Sequence, residues 1–121
     1  MRTMTILIER DETIARNRLR HALQRAARTH RYQGEIRSFE SPAALFRVFS
    51  PVRWTLIERL QKLGPVGLRT LARSLERDVK SVHRDVKILI EEEFIERDEA
   101  GRLFVPFDRI HAEFEMARAA A

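Results

Sequence analysis

Lys80, Arg84 and Lys87 recur at spacings of four and three between Val79 and Glu92, so on a helix they stand along one side. Ammonium and guanidinium groups in such a row can donate to phosphate oxygens, and a guanidinium can also take the acceptor edge of guanine. Ser81 can donate to either kind of acceptor, whereas His83 reads more simply as a surface or helix-packing residue. Lys80, Ser81 and Arg84, in the amino-terminal half, are expected at base edges, and Lys87 at the backbone. A second set, Arg69, Thr70 and Arg73, lies off the apolar stripe of the preceding segment and suits phosphates. Arg97 and Arg102 flank a turn and could reach a minor groove, although Asp98 and Glu99 in that turn would repel phosphates.

A basic stripe on an amphipathic helix is by itself only a solvated face. What surrounds it decides. Ser41-Pro42 and Ser50-Pro51 each place an N-capping serine before a proline suited to the first helical position. The first starts a short helix to Phe49. The second starts a longer one carrying Trp54, Ile57, Leu60 and Leu63, stopped at Gly64-Pro65. Leu68, Leu71, Ala72 and Leu75 mark a two-turn helix, and Glu76-Arg77-Asp78 connects it tightly to the next, with Asp78 as N-cap. Val79, Val82, Val86, Leu89 and Ile90 give that helix its apolar face, and residues 94–97, 98–101 and 102–105 read as strand, turn and strand. Helix, short helix, tight turn, long helix and β-hairpin in this order predict a winged helix-turn-helix between Pro51 and Phe107, whose third helix enters a major groove.

Thr3 to Ile8 is apolar and β-prone, and Ile36 to Phe39 is a candidate second strand. Between them Asp11 offers an N-cap to a helix reaching about Arg28, with Ile14, Leu19 and Leu23 on its apolar face. The arginines of this segment, Arg16, Arg18, Arg20, Arg25 and Arg28, can form a solvated face, touch phosphates or dock an acidic protein. At the other end Ile110, Ala112, Phe114 and Met116 alternate with His111, Glu113 and Glu115, a period of two that favours a strand over the helix suggested by the Ala-rich end. Thr3 to Ile8, from the same or a second chain, is its candidate neighbour. The fold class expected is α+β, mainly helical. It divides into a strand-helix-strand appendage at 1–40, a winged helix-turn-helix at 41–107 and a terminal strand or tail at 108–121.

The 121 residues carry a net charge of +5, which favours a polyanionic partner. Residues 93–121 hold four Lys or Arg against seven Asp or Glu, so this end is not expected against phosphates. No cysteine is present, which excludes disulfides, thiolate nucleophiles and Cys-based zinc sites. The four histidines show no metal spacing, the four glycines form no phosphate loop, and no cofactor signature appears, so an enzyme is not expected. The first apolar run ends at Ile8, short of a signal or membrane-spanning segment, so a cytoplasmic protein without membrane attachment is expected.

Phe39-Glu40-Ser41-Pro42, Ser50-Pro51-Val52-Arg53-Trp54, Arg77-Asp78-Val79-Lys80-Ser81-Val82-His83 and Phe107-Asp108-Arg109-Ile110-His111 resemble a group of small archaeal and bacterial winged-helix proteins. These are DNA-binding or MarR-like transcriptional regulators, some of them antitoxin-like. The similarity runs over roughly Ser38 to Met116 and is most specific in the Arg77–His83 stretch. It implies DNA binding and names neither operator nor inducer.

The function expected is a sequence-specific regulator of double-stranded DNA, an autoregulatory repressor, acting as a homodimer built from the terminal segments. One alternative is an antitoxin that binds both a toxin and its own promoter. Another is a winged helix used only for protein–protein contact.

Overall fold

In the computed structural model the described residues are 2–8, 20, 21, 24, 34–116 and 118. They form a small α+β protein that divides into two units, and the division falls inside one helix. The first unit comprises Met1–Leu45 with Arg109–Ala121, and the second is Phe46–Asp108.

The first unit holds a three-stranded sheet with β1 (Thr3–Ile8) between β2 (Glu35–Phe39) and β5 (Arg109–Glu113). Both pairings are parallel, with Met4 beside Glu35 and Thr3 beside Arg109. Ile6 and Leu7 are adjacent in sequence and both buried, so β1 is covered on both faces. That is why Ile6, Leu7 and Ile8 follow one another with no polar residue between them. Arg2 and Glu35 join the starts of β1 and β2, with Nη2 2.7 Å from Oε1. The terminal strand expected from the alternation over Ile110 to Met116 is present over Arg109–Glu113 and stops before Phe114, and its neighbour is β1 of the same chain. Its apolar face is only half-covered at Ile110 and exposed at Ala112. The helix expected over residues 11–28 lies outside the described residues, apart from Arg20, His21 and Gln24, which are helical and exposed.

Helix α1 (Pro42–Val48) starts at the cap read in the sequence, with the Ala44 amide donating to Ser41 Oγ at 3.1 Å. In the second unit α2 (Pro51–Leu63) is capped by Ser50, whose Oγ accepts from the Arg53 amide at 3.4 Å. Gly64 ends α2 at φ 74°, a region that only glycine enters without steric penalty. After α3 (Leu68–Leu75), Glu76 turns the chain at φ 54° and leads to α4 (Val79–Glu91), capped by Asp78 through the Ser81 amide at 3.2 Å. The hairpin strands are short, β3 (Glu96–Arg97) and β4 (Leu103–Phe104). Leu103 also bridges Val66, a single residue between α2 and α3, so that β4 has a neighbour on each side.

Leu56, Ile57 and Leu60 of α2, Leu71 and Ala72 of α3, and Val82, Val86 and Leu89 of α4 supply the helical core of this unit. Phe49 stacks on Trp54 with centroids 4.1 Å apart and meets Phe94 edge-on at 4.5 Å. Phe94 in turn lies 6.1 Å from Phe107, closing an aromatic row from the start of α2 to the end of the hairpin. Three expectations need correction. Val79, expected on the buried face, is 36% exposed because it is the first residue of α4, beyond the turn that packs. Leu63 is 39% exposed while Leu56 is buried, so the inner face of α2 is set by spacings of one, three and four rather than by threes alone. Phe94 and Ile95, expected in a strand, are buried before β3 begins, in the turn that closes α4 through amide bonds to the Leu89 carbonyl.

Candidate nucleic-acid interface

One face of α4 is buried at Val82, Val86 and Leu89, and its opposite face carries exposed Lys80, His83, Arg84 and Lys87. Ser81 is half-buried rather than fully outward, and its amide closes the Asp78 cap. Neither face of this helix can rotate without exposing three core side chains, which fixes the basic row toward solvent.

A set of ionic contacts that sequence reasoning missed holds α4 in that orientation. Asp85 Oδ1 accepts from Arg53 Nε at 2.9 Å and Oδ2 from Arg77 Nη2 at 2.8 Å. Arg53 Nη1 also donates to the carbonyls of Arg47 and Val48 at 2.9 and 3.1 Å, groups left over at the end of α1. One guanidinium thereby connects the end of one helix, the start of the next and the middle of α4. The three side chains are largely shielded, between 14% and 26% exposed. Arg77 Nη1 is buried with no acceptor, a donor desolvated to form the cluster. A further link runs from Arg59 on α2 to the carbonyl and Oγ of Ser74 on α3, at 2.7 and 2.8 Å. No local signal announces these pairs, since Arg53 and Asp85 are 32 residues apart.

Beside this cluster an open groove of about 520 Å³ runs along α4, lined by Arg53, Arg77, Ser81, Arg84 and Lys87, with Asp85 in its wall. The two arginines next to Asp85 outnumber it by one, so the cluster keeps one net positive charge, to which Arg84 and Lys87 add. Farther along, Glu91 lines the same groove, followed by Glu92 and Glu93. The helix is therefore basic toward its amino end and acidic toward its carboxyl end, where the acids also oppose the helix dipole.

Arg69, Thr70 and Arg73 are all exposed on α3, as their position off the apolar stripe implies. In the hairpin Arg97 and Arg102 are exposed, but Arg102 is engaged: its Nε lies 2.8 Å from Asp98 Oδ2. Asp98 Oδ1 also accepts from the amides of Ala100 and Arg102, at 3.0 and 2.8 Å, closing the turn in which Gly101 sits at φ 81°. The Arg102 amide foremost holds the Asp98 carboxyl below the usual carboxylate range against the opposing effect of desolvation, and the Arg102 side chain adds to the lowering. Arg97 Nη1 makes a long 3.4 Å contact to the Gly101 carbonyl.

Among the described residues, no group of three histidines or acids could hold a metal ion, and no helix is long and apolar enough to cross a membrane. The fold and the site thus define a small α+β protein that fixes a basic helix face toward solvent. The chain belongs to the HVO_A0114 family, whose profile matches residues 48–112, more than half of the 121 residues. No curated protein and no solved structure matches it.

Proposed function

We propose that the second unit is a winged helix-turn-helix that binds double-stranded DNA and that the protein is a homodimeric autoregulatory repressor. The observation that carries this reading is the exposed row Lys80, Arg84 and Lys87 on a helix whose other face is buried and whose orientation is fixed by Asp85. The order α2, α3, tight turn, α4 and hairpin supports it, as does the bridge from Val66 to Leu103, which gives the hairpin a third strand ahead of α3.

In this reading α4 enters the major groove with its amino-terminal half. Lys80, Ser81 and Arg84 meet base edges, and Lys87 lies along a flanking phosphate. Arg69, Thr70 and Arg73 on α3 meet the backbone, while Glu91 to Glu93 keep the far end of α4 clear of it. The hairpin contributes through Arg97, since Arg102 is neutralised by Asp98. The chain acts by binding rather than by catalysis and requires no cofactor. Two half-sites read by two copies supply the specificity that a single short helix lacks.

The test is fluorescence anisotropy of the purified protein on the DNA upstream of its own gene, with scrambled competitor and a salt series, beside a Lys80→Ala/Arg84→Ala variant. Binding that survives competitor, weakens with salt and collapses in the variant supports the proposal. Binding indifferent to sequence and to the variant overturns it and favours a protein partner for this face.

A further inference from the structure

Strand β5 is the outer strand of the sheet β2-β1-β5, and its residues are exposed except for half-buried Ile110. The Arg109 amide donates to the Arg2 carbonyl at 3.3 Å, so the main chain of Arg109 faces β1. In a regular strand the same holds for His111 and Glu113, which leaves the amides and carbonyls of Ile110 and Ala112 turned to the other edge, where no strand pairs among the described residues. An edge of this kind is a template for another strand.

The side chains along β5 specify which strand. Arg109, His111 and Glu113 share one face, where His111 Nε2 and Glu113 Oε2 are 3.1 Å apart, and Ile110 and Ala112 share the other. Two copies of β5 can pair antiparallel about a two-fold axis at His111. Arg109 then faces Glu113 of the partner subunit, twice, and Ile110 faces the partner's Ala112, twice. The parity also fits. The pairs joining Ile110 and Ala112 are those whose main chains face each other, giving about four interstrand hydrogen bonds, and His111 sits at the close, non-bonded position. A slip by one residue would set charged side chains against apolar ones. Just past the strand, Met116 is 80% exposed, apolar surface that a second copy can cover.

Building on the homodimer proposed above, we infer that a second copy of this chain docks on the edge of β5, antiparallel about His111, and joins the two sheets into one. The face of one strand is self-complementary, which a heterologous partner would not require.

The experiment is sedimentation of the full chain at tens of micromolar, with Arg109→Glu, Glu113→Arg and the double exchange. The expected result is a dimer for the wild type and a dissociation constant raised roughly tenfold or more in each single variant. In the double exchange the dimer is restored. Arg109 and Glu113 of one strand lie about 13 Å apart, too far for an internal pair, so restoration can arise only between copies. As a second readout, His111→Cys introduces the chain's sole cysteine at the axis, where mild oxidation should cross-link two copies. A monomeric wild type overturns this pairing and the homodimer together. A dimer that all three charge variants leave unchanged, and that His111→Cys fails to cross-link, overturns the β5 pairing while leaving a homodimer standing.

Discussion

Arg53 near the start of α2 and Asp85 in the middle of α4 meet at 2.9 Å, and the same carboxylate reaches Arg77 at 2.8 Å on its other oxygen. Two cations thus converge on one anion in a largely shielded site, and the anion belongs to the helix that carries the basic row. The cluster does more for orientation than for net stability, since the desolvation of three charged groups offsets much of their attraction.

Removing the anion is another matter. Asp85→Ala should destabilise the fold by about 2 kcal/mol, below the value for fully buried pairs because the site keeps some solvent contact. Asp85→Asn, which retains a polar group between the guanidinium groups, should lose less. Urea denaturation measures both, and a loss under about 0.5 kcal/mol in the alanine variant would mean that the cluster is an ordinary surface contact.

The basic row should behave in the opposite way. Lys80→Ala and Arg84→Ala remove exposed side chains, so stability should stay within about 0.5 kcal/mol of the parent. If a residue contacts phosphate, the slope of log affinity against log salt should drop by about one, whereas a base-reading residue should lose discrimination among sequences instead. Titrating each variant on operator and scrambled DNA separates these roles.

Glu76 sits in the turn between α3 and α4 at φ 54°, and Glu93 after α4 at φ 68°. A side chain in the left-handed region is penalised by about 1 kcal/mol, part of which glycine forfeits through its freer unfolded chain. Glu76→Gly should therefore be neutral to stabilising, by up to about 0.5 kcal/mol, and should hold or raise the melting temperature, where substitutions at the buried positions of the flanking helices lower it. A marked fall in melting temperature would show that the Glu76 side chain holds the turn.

The hairpin has an acid limit of its own. Its turn holds the Asp98 carboxyl below the usual range, so the carboxylate's contribution to stability is complete above the ordinary carboxylate pKa. That contribution is lost as the pH falls through the lower, folded value. A carboxyl-detected NMR titration should place the Asp98 midpoint below that of an unstructured aspartate, and Asp98→Asn should flatten the acid limb of the stability curve. A midpoint at the ordinary value would contradict the geometry of the turn.

Much of this architecture was legible because it is written locally. Ser41, Ser50 and Asp78 cap helices where a short polar residue precedes an apolar period, and Gly64 stops one where only glycine fits the backbone. The exposed positions of Lys80, Arg84 and Lys87 follow from the apolar positions they alternate with. What stayed hidden joins distant segments. Asp85 reads as one more solvated acid until Arg53 and Arg77 are placed beside it. Val66, between a proline and a glycine, carries no strand signal at all, yet it pairs with Leu103. The alternation at Ile110 and Ala112 announced a strand, but a period of two says nothing about the direction in which its neighbour runs.

The central strand β1 obtains its two neighbours at very different times. β2 follows it closely, whereas β5 lies about a hundred residues later, beyond the whole second unit. On a ribosome adding about 5–20 residues per second, one edge of β1 therefore waits roughly 5–20 s for its partner. The second unit can fold within that interval, so the sheet, begun with β1 and β2, closes last. A message truncated before Arg109 would still yield the basic helix, but would leave β1 with a long, apolar and permanently unpaired edge, and such a product should be recognised by its aggregation rather than by loss of its helices.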